Sequence, residues 1–95
     1  MTHILERDIE RKVVAYAKKR NVLCYKFTSP GNRGVPDRIL IGPSGRVAFL
    51  ELKRPGQKPT ALQQHILDNL TARGVTAWAC DWFDGAKQLI DSLCD

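Results

Sequence analysis

Apolar positions along this chain follow two periods, and each period marks a kind of element. Between 5 and 20, Leu5, Ile9, Val13, Tyr16 and Ala17 return every three or four residues while Arg7, Arg11, Lys18 and Lys19 fall elsewhere. That is the pattern of a helix with one buried stripe. VLCYKF (22–27) is rich in β-formers and reads as a strand. TSPGNRGVP (28–36) is turn chemistry throughout and reads as a loop. DRILIG (37–42) and RVAFLELK (46–53) read as two further strands joined at Pro43-Ser44-Gly45. Thr60 opens a second helix: Thr60-x-x-Gln63 suits a capping box, Leu62, Ile66 and Leu70 form the stripe, and Gly74 stands just past the end. TAWACDWF (76–83) is the fourth strand, and Asp84 is expected to cap a last helix carrying Ala86, Leu89, Ile90 and Leu93. The order is helix, strand, strand, strand, helix, strand, helix. With no internal repeat, low-complexity tract or long linker, residues 1–95 read as one domain.

The turn between the second and third strands sets a register. Pro43, Ser44 and Gly45 suit a three-residue hairpin loop, a type I turn followed by a left-handed glycine that forms a bulge. Gly42 then faces Arg46, Ile39 faces Phe49, and Asp37 faces Glu51. Side chains alternate along a strand, so Asp37, Ile39, Ile41, Val47, Phe49, Glu51 and Lys53 share one face. That face is apolar near the turn and carries two acids and a lysine at its far end. Opposed like charges repel, and burying them costs several kcal/mol each unless something compensates. A divalent cation would compensate, because Mg²⁺ takes oxygen ligands and keeps several waters. The plainer reading is that Lys53 pairs with Glu51 or Asp37 at an exposed end of the sheet.

Two further polar residues point to the same place. Glu10, in a helical column with Glu6, Val14 and Ala17, is a candidate third acid, whereas Glu6, nearer the terminus, reads as solvated. Gln63 faces inward with Ile66, Leu67 and Leu70, although capping alone would explain it.

Composition adjusts this picture without redirecting it. Hydrophobic residues at 43% suffice for a real core, and no apolar run nears the roughly 20 residues of a membrane span. The start, MTHILERDIERK, is too charged for a signal peptide, so a soluble cytoplasmic protein is expected. Fifteen Lys and Arg against ten Asp and Glu give +5, which suggests a polyanionic partner, nucleic acid before membrane. Cys24, Cys80 and Cys94 have neither disulfide nor zinc-site spacing, and His3 and His65 stand alone.

Pro36-Asp37 followed by Glu51-Leu52-Lys53, on a hairpin after an acidic helix, resembles the PD-(D/E)xK nuclease motif. The finer likeness is to the VRR-NUC family, in particular its small stand-alone phage and bacterial members, and it runs through "YKFTSPGNRGVPDRILIGPSGRVAFLELKRPGQKPTALQ", residues 25–63. The resemblance implies an α/β restriction-endonuclease-like core, a mixed β-sheet flanked by helices. It also implies metal-dependent endonucleolytic cleavage of DNA with Mg²⁺ or Mn²⁺. Carried over by position, Glu10 is the helix acid, Asp37 and Glu51 are metal ligands with the Leu52 carbonyl as a further one, Lys53 is the motif lysine, and Gln63 matches the glutamine after the motif strand. Branched DNA such as a four-way junction, and action as a homodimer, are implied as well. Lys26, Arg33, Arg38, Arg54 and Lys58 flank the site in sequence and are candidates for gripping phosphates, and Gly31 and Gly34 keep the loop before Asp37 small. The competing readings are a flap or nicking nuclease, a non-catalytic basic module that binds nucleic acid, and a structural protein whose acids and lysine form only a salt-bridge network.

Overall fold

In the computed structural model, residues 4–94 are described; His3 lies outside them. The seven elements occur in the expected order: α1 (Glu6–Lys19), β1 (Leu23–Lys26), β2 (Arg38–Ile41), β3 (Val47–Leu52), α2 (Ala61–Ala72), β4 (Thr76–Cys80) and α3 (Phe83–Ser92). They build an α/β fold around one four-stranded mixed sheet in the order β1-β2-β3-β4. β1, β2 and β3 run antiparallel to one another, and β4 joins β3 in parallel after the α2 crossover.

Alternation along the strands decides what is buried. Leu40 of β2 and Ala48, Leu50 and Leu52 of β3 point to one face and are fully buried. They meet Ile9, Val13 and Ala17 of α1 and Ala86, Leu89 and Ile90 of α3 in a single cluster. Each fully buried leucine is worth about 2 kcal/mol of transfer free energy, so this face dominates stability. The opposite face carries Ile39, Ile41, Val47 and Phe49. α2 packs against β4, and Val47 remains exposed together with Leu23 and Tyr25 of β1. The residues that look like a second core from their hydropathy are therefore only partly covered.

Helix ends follow local chemistry. The Asp8 carboxylate accepts the Leu5 N–H at the start of α1 (2.9 Å), and Glu6 and Asp8 complement the positive end of the helix while Lys18 and Lys19 complement its negative end. The Thr60–Gln63 capping box is formed at α2, and Gly74 occupies the position past its C-cap. The last helix departs from expectation. The fourth strand ends at Cys80 rather than 83, Trp82 is the N-cap, and Asp84 lies inside the first turn instead of capping it. Phe83 explains the shift: spaced three and seven residues before Ala86 and Ile90, it belongs to the α3 stripe, and its ring meets Tyr16 edge-on at 5.7 Å.

Candidate active site

The hairpin adopts the register read from its turn. The Gly42 N–H donates to the Arg46 carbonyl (2.8 Å) and the Gly45 N–H to the Gly42 carbonyl (3.0 Å). Gly45 sits at φ 92°, where a side chain would be strained. Ile41 opposes Val47, Ile39 opposes Phe49 and Arg38 opposes Leu50. One step further, Asp37 opposes Glu51. In an antiparallel ladder, hydrogen-bonded and non-hydrogen-bonded pairs alternate. Counting from the bonded Gly42–Arg46 pair, Asp37 and Glu51 fall at a non-hydrogen-bonded position, where facing side chains approach most closely.

The next pair outward, Pro36 with Leu52, would be hydrogen-bonded, but proline has no N–H to give. The ladder ends there, and the Leu52 N–H donates to Asp37 Oδ2 instead (2.8 Å). On its other side the Asp37 carbonyl accepts the Phe27 N–H (2.8 Å). Asp37 is thus held by its backbone to the strand before it and by its side chain to the strand after it. The Leu52 carbonyl lies on the same edge of β3 as its N–H, across from the proline.

Glu51 is 2% exposed and Lys53 8% exposed, so this end of the sheet is not the exposed end that a simple surface ion pair requires. Lys53 Nζ stands 3.3 Å from Glu51 Oε2, and its backbone N–H is fixed to the Cys80 carbonyl (2.9 Å). Glu51 Oε1 is buried without a hydrogen-bond partner. Burial first, and the charge of Asp37 second, push the Glu51 carboxyl up from 4.5 to about 7, against the opposing pull of Lys53. Two adjacent carboxylates, one with an unpartnered buried oxygen, form a donor set that fits a hard divalent cation. Among the described residues no group of three His, Cys, Asp or Glu side chains is arranged to hold an ion. The remaining positions around a cation would fall to backbone, water and phosphate oxygens.

The other expected site residues divide. The Glu10 carboxylate reaches Arg38 NH2 (3.3 Å) rather than joining the acidic pair. The α1 acid whose ionisation responds to the site is Glu6, whose place near the terminus had suggested a solvated side chain. Its carboxyl is raised by partial burial and then by Asp37, with Lys53 pulling the other way. Glu6 begins the helix, whereas Glu10 lies one turn, about 6 Å, further along; which turn overlies the sheet end is a matter of helix–sheet docking and leaves no mark in the helical column. Arg38 is a second correction. It is 9% exposed, on the core face beside Leu40, and it holds Glu10 instead of standing out as a surface cation. The alternation that buries Leu40 and Leu50 already signals this. Lys26, Arg33, Arg54 and Lys58 are exposed. Gln63 Oε1 accepts the Thr60 N–H (2.9 Å) while the Gln63 N–H donates to Thr60 Oγ1 (3.2 Å), so its carboxamide serves the helix cap. Gly34 is small for packing rather than for phosphate approach: a Cβ there would lie 2.9 Å from Leu62 and 3.1 Å from Ile66 of α2.

No family model matches the chain. It is 48% identical over 63 residues to a protein of Acyrthosiphon pisum secondary endosymbiont phage 1 named "Putative nuclease p44", a match covering 66% of this chain and 68% of that one. Two solved structures share the fold. One, a "VRR_NUC domain", superposes with a TM-score of 0.82 at 24% identity over 90% of this chain and 94% of its own. Another, a "VRR_NUC domain protein", gives 0.77 at 17% identity over 99% of this chain and 93% of its own.

Proposed function

The chain belongs to the VRR-NUC nuclease family, and from that premise we propose that it is an endonuclease hydrolysing DNA phosphodiester bonds with Mg²⁺ or Mn²⁺ held by Asp37, Glu51 and the Leu52 carbonyl. The observation that carries the reading is the buried Glu51 carboxylate, facing a second acid with one oxygen unpartnered. A carboxylate so placed is costly to the folded protein unless a cation joins it. A divalent cation there supplies Lewis acidity toward a phosphate oxygen and acidifies water.

The chain's own groups do the rest. The Leu52 N–H fixes the Asp37 carboxylate before any substrate arrives. Lys53, tethered by its backbone and by Glu51, directs its ammonium at charge that builds on the phosphorus oxygens. Glu6, at the mouth of the same site, takes the place expected of Glu10 and orients water or a ligand. Arg54 and Lys58, exposed just after the motif, hold the backbone of the DNA.

Branched DNA is the proposed substrate, cut by a homodimer. One site cuts one strand, and paired symmetric cuts call for two sites on a two-fold axis. The half-covered sheet face, with Leu23, Tyr25 and Val47 exposed in adjoining rows, supports burial against a second copy. Among the described residues no helix is long and apolar enough to cross a membrane.

The deciding assay is cleavage of labelled four-way junction, flap, duplex and single-stranded DNA by wild type and Lys53→Ala, with Mg²⁺, Mn²⁺ or EDTA. Cutting is expected with either metal, abolished by EDTA, and slowed on the order of 100-fold or more in the variant, the usual cost of losing one preorganised electrostatic group. Equal cutting by Lys53→Ala would overturn the assignment of the motif.

A further inference from the structure

Four cations of the first helix and second strand have no part in the site described above. Arg7, Arg11 and Lys18 lie on one side of α1: spacings of four and seven residues return to nearly the same angle of a 3.6-residue helix. With a rise of 1.5 Å per residue, they extend over about 16 Å. Together with Glu10, Val14, Ala15 and Arg38 they line a cleft of about 490 Å³ between α1 and the sheet. Arg38 forms part of its wall, nine-tenths buried, with its Nε hydrogen unpartnered. The acid in the cleft, Glu10, is already engaged by Arg38, so the three helix cations set the sign of the surface.

This cleft is connected to the site. Arg7 is shared with a second cleft, of about 520 Å³, lined also by Leu5, Glu6, Arg54 and Gln57. Gln57 is shared in turn with a third, of about 200 Å³, which Lys53 and Lys58 line. A continuous depression therefore leads from the motif lysine around the start of α1 and along its outer side, with a cation at every stage.

We propose that this depression is a track for nucleic-acid backbone: phosphates flanking the cleaved bond pass from Lys53 and Arg54 to Arg7, Arg11 and Lys18. The inference rests on the DNA-cleaving reading and adds to it a contact surface on α1. The occupant follows from charge and dimension. A strand of duplex DNA places a phosphate every 3.4 Å of axis, so the helix stripe matches about five nucleotides. Its side chains are long cations suited to phosphate rather than to base edges. Binding through α1 is accordingly indifferent to sequence and sensitive to salt.

The test compares wild type with the triple variant Arg7→Ala/Arg11→Ala/Lys18→Ala and with Lys12→Ala/Lys19→Ala/Arg73→Ala. The second set consists of exposed cations outside the track and removes the same net charge. Thermal melting confirms that both fold. Affinity for labelled single-stranded and duplex oligonucleotides is measured in EDTA by fluorescence anisotropy from 50 to 300 mM salt. For the track variant the slope of log Kd against log salt is expected to fall by about 2 to 3, since each phosphate contact contributes about 0.7 on single strands and 0.9 on duplex. The strand type with the larger fall identifies which form of backbone lies on α1. The second variant is expected to change the slope by less than one. Equal falls in the two variants, or no fall in the first, overturn the track. Failure of wild type to cut any DNA with either metal would sink the nuclease reading instead, and the slopes would still decide the track.

Discussion

Replacing Glu51 by Gln exchanges a buried carboxylate for its neutral isostere and so tests the electrostatic account of the site. The folded-state value for Glu51 is raised from 4.5 to about 7, by burial and then by Asp37. The folded protein therefore holds a proton that the unfolded chain has already released. The associated stability is fully present below pH 4.5 and is lost as pH rises through 7. At about 1.4 kcal/mol per pH unit, the ionised form costs the fold about 3 kcal/mol. An opposing effect acts at the same residue. Removing one member of a buried ion pair typically costs about 3–5 kcal/mol, and Gln leaves Lys53 without its partner. Protonation of Glu51 leaves Lys53 in the same state, however, and the pull of Lys53 is already contained in the value near 7. Burial and Asp37 therefore win. In EDTA, Glu51→Gln is expected to match wild type within about 0.5 kcal/mol near pH 4.5 and to exceed it by about 3 kcal/mol at pH 8. For a chain of this size that is a rise in melting temperature on the order of 10–20 °C, read by circular dichroism. Saturating Mn²⁺ at pH 8 narrows the gap, because only wild type gains from binding. A variant less stable than wild type at pH 8 in EDTA would refute the reasoning and show that the ion pair with Lys53 outweighs burial and Asp37.

Asp37→Asn keeps an oxygen for the Leu52 N–H, so its stability in EDTA should stay within about 1 kcal/mol of wild type, while stabilisation by Mn²⁺ disappears from the melting curve. Gly42→Ala would bring a Cβ to 2.0 Å from the Leu93 carbonyl; urea denaturation should register a loss of at least about 3 kcal/mol or no folded protein at all. Thr60→Ala removes the side-chain acceptor at the start of α2 and should cost about 1 kcal/mol in the same assay, without altering cleavage by the folded enzyme.

What the sequence reveals about the site follows from how local each relationship is. Asp37 and Glu51 are joined by a single hairpin, and Pro43-Ser44-Gly45 determines its pairing through backbone conformations that residue types encode directly. The Thr60–Gln63 cap is equally local. Glu6 escapes a sequence reading because its relation to Asp37 depends on how α1 docks across the sheet, a contact between distant parts of the chain. Arg38 does not sit where its charge suggests, although the signal is present: it alternates with Leu40 and opposes Leu50, so it had to be buried and needed an acid, which Glu10 supplies. The end of the fourth strand is ambiguous in sequence because Trp82 and Phe83 are as favourable in a strand as at a helix start, and only the contact with Tyr16 decides between them.

β3 divides its labour by parity. Its even-numbered residues, Ala48, Leu50 and Leu52, hold the fold together, and its odd-numbered ones end in Glu51. Selection, or an engineer, can therefore adjust the two nearly independently: repacking beneath Leu50 to raise stability leaves the odd side untouched, and reshaping the surface around Val47 and Phe49 for a different substrate or partner leaves the hydrophobic interior as it was. A small domain with little stability to spare can vary what it does along one side of a strand while the other side keeps it folded.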